Sequence, residues 1–418
     1  MDSQGKPSER YKWILLGFLF VTFFLEQGTR QIYNAALPQI KIDFASLGVT
    51  DVQLGLVGTV FSGVFGLSLV GSGLAADFFG RKRVLVWGTL LFSAGVFVSG
   101  FAAGLGLLLA AYGVLNAVGQ CCVAPPCYSL ISQHHGRTRS VAMAIFQAAV
   151  YLGVILSSVF AGCLAEWSAG GWRWAFWLAG GLGIFWSLVM HCGIVESPMP
   201  TPSVAEERPT MKAAFGALLK CPTAILIAVS FGMFMYAQLG IRLWTPMFMV
   251  RHFEGVGIAK AALHSVLWLN VGALMSSIVV AHMNDRISVR RPRIKLEVTM
   301  LGLVLCIAPV LMVAYSTTFA GCCASLFLFG LTLGVYDASH YPAMFDCVTP
   351  RYRSATTGLT GCYAFLFGSF APTVLGWIGE TFSMRGAFAS LGVFYVLGAV
   401  TLAPAVVRFF KRDYIPQT

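Results

Sequence analysis

Between Arg83 and Arg137 the chain contains no Asp, Glu, Lys or Arg, and a second such stretch runs from Glu297 to Asp337. About 20 apolar residues in a helix cross the hydrocarbon of a bilayer. Each charge-free stretch therefore holds two crossings, with turns near Gly100–Gly106 and Ser316–Thr318. The remainder follows the same rule. Hydrophobic residues make up 57% of the 418 and charged residues 11%, against about 25% charged in a soluble globular domain. So few charges cannot cover a water-soluble protein of this length. The polar breaks predict an all-α integral membrane protein with spans over 13–36, 52–75, 83–103, 107–130, 140–163, 174–195, 222–248, 260–283, 296–315, 319–341, 355–379 and 386–408.

The net charge of +11 invites a nucleic-acid reading, but the location of the charges speaks against it. Of the 28 Lys and Arg residues, Lys41, Arg173, Arg251, Lys260 and Arg385 fall in one set of connections and Arg30 and Arg242 fall inside spans. All the others lie in the opposite set. Cytoplasmic connections collect Lys and Arg, so both termini and the central connection are expected in the cytoplasm, with the protein in the plasma (inner) membrane. The basic excess can also hold anionic lipid headgroups. No nucleic-acid partner is expected.

Nearly all of the eleven cysteines lie within or at the ends of spans, including the neighbours Cys121 with Cys122 and Cys322 with Cys323. No Cys-x-x-Cys or Cys/His spacing suggests a metal, and small apolar packing explains the thiols better than a disulfide framework. No small-residue cleavage site follows the first apolar run, so Trp13 onward reads as a permanent span. No nucleophile, metal cluster or cofactor motif is visible. An enzyme is therefore not expected, and neither is a cofactor.

The two halves repeat. Arg137-Thr-Arg139-Ser140 recurs as Arg351-Tyr-Arg353-Ser354, 214 positions later, and at that offset Gly162 falls on Gly376 and Glu166 on Glu380. Arg173-Trp-Ala-Phe176 is echoed by Arg385-Gly-Ala-Phe388. The expected domains are residues 1–196, a six-helix bundle; 197–221, a cytoplasmic linker with Pro198, Pro200, Pro202 and Pro209; and 222–418, a second bundle with a short tail.

After the second span stands Gly73-Leu-Ala-Ala-Asp77-Phe-Phe-Gly80-Arg81-Lys82-Arg83. Gly80 suits a tight turn, and Asp77 can pair with basic groups on neighbouring helix ends, as a cytoplasmic gate requires. A plain positive-inside loop is the simpler alternative. The pattern resembles the loop signature of the major facilitator superfamily, with Phe78 in place of the usual basic residue and a degenerate second copy at Asn284-Asp285-Arg286. The resemblance spans the chain. It implies the major facilitator fold, twelve transmembrane helices in two pseudo-symmetric six-helix bundles, monomers, and a gate built from Gly73, Asp77, Gly80, Arg81, Arg137, Asp285 and Arg286. Gly171-Trp-Arg-Trp-Ala-Phe176, continuing to Glu196-Ser-Pro198, and Arg30-Gln-Ile-Tyr-Asn34 resemble the anion:cation symporter branch, whose members move carboxylates with H+ or Na+. The branch's usual Asp-Arg pair is absent here, leaving Glu26 with Arg30, and Tyr112 stands where many members keep an arginine. Val118-Gly119-Gln120 to Ala124-Pro125 resembles the spinster-like lysolipid transporters.

Charges inside spans are costly and normally face a cavity or a partner. At about 100° per residue, Gln27, Arg30, Gln31 and Asn34 share one arc of the first span, with Glu26 at its edge. In the seventh span Gln238 and Arg242 lie one turn apart, and Arg242 is 212 positions from Arg30. Two guanidinium forks suit a carboxylate bidentately. Glu26 could instead neutralise Arg30 within the helix, and Arg242 could snorkel to headgroups. In the tenth span Asp337 and His340, at i and i+3, form a candidate proton-coupling pair with Glu26, unless the helix ends early. Gln147, Trp268, Asn270 and Tyr336 add amides and rings suited to a hydroxylated substrate. The expected function is alternating-access symport of a small organic anion, a sugar acid or other carboxylate, driven by H+ or Na+. An exporter of an amphipathic lipid or drug on the same fold and a transport-incompetent nutrient sensor stay open.

Overall fold

The computed structural model describes residues 9–135, 138–195, 215–216, 218–349 and 352–415. Among them there is no strand, and twelve long helices carry the chain. They are α1 (Glu9–Asp43), α2 (Asp51–Phe79), α3 (Arg81–Ser99), α4 (Leu105–Ile131), α5 (Arg139–Trp167), α6 (Trp172–Gly193), α7 (Pro222–His252), α8 (Ile258–Ser288), α9 (Ile294–Ala314), α10 (Phe319–Phe345), α11 (Ala355–Thr381) and α12 (Met384–Asp413). The 11 from α2 to α12 are long and apolar enough to cross a membrane. In α1 the charges of its polar stripe interrupt an otherwise apolar helix of 35 residues. The α2–α3 turn depends on Gly80, whose φ of 88° no side-chain-bearing residue adopts readily.

The chain divides into two units. Unit 1 comprises Met1–Val49, Leu67–Thr201 and Val256–Leu263; unit 2 comprises Thr50–Gly66, Pro202–Gly255 and His264–Thr418. The start of α2 groups with unit 2, and the start of α8 groups with unit 1. Most of the expected linker, 196–214 and 217, lies outside the described residues.

In unit 1 the apolar faces of α1, α3, α4, α5 and α6 enclose a core that includes Leu19, Phe23, Leu85, Phe92, Phe146 and Met190. Phe23 and Phe146 stack at 4.2 Å, and Tyr128 meets Phe146 edge-on. In unit 2 the most enclosed helix is α7, where Phe234 stacks on Tyr336 at 4.0 Å and Tyr236 on Phe394 at 3.8 Å. Lipid offers apolar side chains as good an environment as another helix does, so such close ring packing, rather than hydrophobicity, specifies which helices meet. All eleven cysteines are free thiols.

Candidate functional site

The polar stripe of α1 is held by α4. Arg30 Nη2 pairs with Glu26 Oε1 at 2.6 Å, and the second carboxylate oxygen accepts from Gln27 Nε2 at 2.7 Å. Local neutralisation within one helix therefore occurs, as the i, i+4 spacing allows. Arg30 is not confined to that partner. Its Nε donates to Gln120 Oε1 at 3.0 Å, while Gln120 Nε2 donates to Asn116 Oδ1 at 3.0 Å and Thr29 Oγ1 at 3.2 Å. Tyr112 OH donates to the Arg30 carbonyl at 2.9 Å. Further along α1, Asn34 Nδ2 donates to Gln31 Oε1 at 3.2 Å.

Tyr112 reaches α1 from Leu109–Asn116, a π-helical turn, which widens the helix by one residue and re-aims the side chains beyond it. In this way Tyr112, at the place of the family's usual arginine, grips α1 by its backbone. The Arg30 side chain keeps 23% exposure and Glu26 only 3%. Of the two, Arg30 is the group that can meet a ligand.

In the interior of the unit 2 spans, Arg242 and Asp337 stand on different helices. The cationic neighbour of Asp337, on α10, is Arg242, on α7. One turn from Arg242, Gln238 Nε2 donates to Tyr395 OH at 3.2 Å, and Tyr395 stands within electrostatic reach of both charges. Asp337 is an exposed position of α10, while Gln238 and Tyr395 are buried.

The expected side-chain pairing of Asp337 with His340 does not form. Regular helix ends at Asp337, turns through Ala338 and Ser339, and resumes at His340. That turn distorts the i, i+3 spacing on which the pairing rested. It is stabilised by Asn284, which donates to Ser339 Oγ at 2.8 Å. His340 turns instead into an aromatic cage of Phe231, Tyr336 and Tyr341, with ring centroids at 4.7, 5.0 and 4.1 Å. Neither of its ring nitrogens has a hydrogen-bond partner among the described residues.

The remaining candidates scatter. Gln147 is exposed on α5, and Trp268 donates to His264 Nδ1 at 2.8 Å. Asn270 bonds its own helix backbone at Val266, and Tyr336 is wholly enclosed in unit 2, so neither presents a polar group in this structure. Of the gate residues, Gly80 makes its turn, Arg81 is half-buried, and Asp285 and Arg286 are exposed. Gly73 lies within α2, while Arg137 and the side chain of Asp77 lie outside the described residues. Sequence reasoning missed Tyr395, because a single tyrosine in an apolar helix carries no signal apart from packing.

A chain of twelve largely apolar helices, with an arginine and a neighbouring carboxylate in the helix interiors of each unit, has the build of a membrane transporter. The sequence profile of the Major Facilitator Superfamily matches residues 19–305, and the chain belongs to that family. It is a multi-pass transporter and not an enzyme. A probable galactarate/D-glucarate transporter of Escherichia coli (strain K12) is 25% identical over 98% of this chain and 96% of its own length. A probable chloroplastic anion transporter of Oryza sativa subsp. japonica is 24% identical over 96% of this chain and 77% of its own. These relatives agree with the resemblance to the anion:cation symporter branch. A bacterial homologue of the human lysosomal transporter Spinster, solved in an inward-facing, unoccupied conformation, superposes with a TM-score of 0.86 at 19% identity. That comparison covers 98% of this chain and all of the other, and establishes the fold.

Proposed function

We propose that the protein is a proton-coupled symporter of a small organic anion, a sugar acid or related carboxylate. One observation carries the reading: an arginine stands in the interior of the first helix of each repeat, Arg30 in α1 and Arg242 in α7, 212 positions apart, with Glu26 and Asp337 as their carboxylate neighbours. An arginine that is only partly neutralised, with a fork geometry matching a carboxylate, is a natural anion ligand. Gln27, Gln31, Asn34 and Gln238 would meet hydroxyl groups, since amides both donate and accept. Supporting it, the relative in Escherichia coli is named for two sugar diacids. Asp337 and Glu26 would carry the proton, and the Gly73–Arg83 loop would gate the cytoplasmic side of a monomer in the plasma membrane, with both termini inside.

Purified protein in liposomes, given an inward proton gradient, tests this directly. Galactarate, glucarate, glucuronate and gluconate are offered beside glucose and a lysolipid. Saturable uptake of at least one sugar acid, competed by its analogues and collapsed by a protonophore, is the expected result. Transport of glucose or lysolipid without any sugar acid would overturn the substrate class. Dependence on a sodium gradient instead would overturn only the choice of ion.

A further inference from the structure

One repeated feature has no part in the arginine site: Gly162 with Glu166 near the end of α5, and Gly376 with Glu380 near the end of α11. In both pairs glycine and glutamate are four residues apart, on one face of the helix. The structure gives the two pairs the same contacts. Glu166 Oε2 accepts from the backbone N–H of Ala259, in the first turn of α8, at 3.2 Å. Glu380 Oε1 accepts from the backbone N–H of Asp51, the first residue of α2. Each glycine admits the incoming helix end: a Cβ on Gly162 would stand 2.8 Å from the Ala259 Cα, and one on Gly376 2.7 Å from the Asp51 carbonyl oxygen.

The first N–H groups of a helix have no partner within it and carry partial positive charge, so a carboxylate is a favourable cap. What sets these two caps apart is the pair of helices they hold. The starts of α2 and α8 are the segments that group away from the rest of their own helices: 51–66 in unit 2 and 258–263 in unit 1. Asp51 is fastened further by Arg251, whose two Nη atoms reach its carboxylate at 2.6 and 2.9 Å. Contacts that fasten one end of a helix away from the rest of it are those a change between two packed arrangements would break.

We infer that Glu166 and Glu380 are paired conformational latches, which hold the starts of α8 and α2 in the present state and let go in the opposite one. The substrate plays no part in this, so the test needs none. Thr59 Oγ1 and Thr373 Oγ1 lie 2.8 Å apart where α2 meets α11, within cysteine cross-linking reach. In the Thr59→Cys/Thr373→Cys background, purified protein is treated with diamide and the cross-linked peptide followed by mass spectrometry. The parent is expected to cross-link quickly. Glu380→Ala slows the reaction roughly five- to tenfold, and Glu380→Gln, which keeps an acceptor, slows it less. Glu166→Ala slows it as well, although its cap lies in the other unit, because both latches report one state. A merely structural cap would not produce that cross-effect. Should Glu380→Ala not fold, the Gln variant and Glu166→Ala still decide. Parental rates in both overturn the inference, and slowing by Glu380 variants alone overturns the pairing.

Discussion

The arginine–carboxylate pairs of the two units solve the same electrostatic problem in different ways. In unit 1, Glu26 and Arg30 share one helix, and their separation follows from helical pitch. Gln27 and Gln120 add hydrogen bonds that hold the pair in place. In unit 2, Arg242 and Asp337 sit on α7 and α10, and Asp337 stands where α10 breaks. A pair within one helix keeps its geometry while that helix moves as a body. A pair across two helices changes when either shifts. By this comparison Asp337 is the better placed of the two carboxylates to couple protonation to conformational change, and Glu26 is better suited to holding Arg30 in position.

The largest effect is expected at Asp337. Asp337→Asn should abolish uphill accumulation driven by a pH gradient while leaving counterflow of labelled for unlabelled substrate within about twofold, because exchange needs no empty, deprotonated return step. Retained accumulation, together with its loss in Glu26→Gln, would reverse the roles assigned to the two units.

Next come the arginines. Arg30→Lys and Arg242→Lys replace a planar fork by a point charge. Loss of a charge-assisted bond costs about 1.5–3 kcal/mol, so substrate affinity measured in counterflow should fall roughly 10- to 100-fold in each. If only one variant weakens binding, the other unit makes no contact with the carboxylate, and the likeness between the units is an inheritance without shared function.

A smaller change is expected at Gln120, which hydrogen-bonds Arg30. Gln120→Ala removes the acceptor for Nε, and the loss of one such bond, about 1 kcal/mol, should raise KM roughly fivefold with little change in kcat. A fall in kcat with KM unchanged would mean that Gln120 acts on turnover and not through the position of Arg30. The smallest effect is expected at His340. His340→Phe fits the cage of Phe231, Tyr336 and Tyr341, should cost less than about 1.5 kcal/mol of stability, and should leave pH-driven accumulation intact. Lost accumulation there would restore His340 to the coupling pair.

The sequence by itself determined the spans, because a charge-free run of sufficient length has few alternatives in a bilayer. It also determined the repeat and the polar stripe of α1. Glu26 and Arg30 were legible as a pair because a regular helix places residue i+4 above residue i whatever surrounds it. The same argument failed for Asp337 and His340, since it assumes an unbroken helix. The break at Ala338–Ser339 is supported by Asn284 on another helix, which periodicity cannot reveal. Gln120 and Tyr112 became the holders of Arg30 only through a π-helical turn in α4, and Tyr395 joined the unit 2 pair only through the packing of α12 against α7. Glu166 and Glu380 were visible as a matched pair, but their task was not, because the groups they cap are backbone N–H donors common to every helix start. Tertiary structure alone decided which helix ends those two carboxylates would meet, since contacts across helices depend on crossing geometry, and no spacing along one chain encodes it.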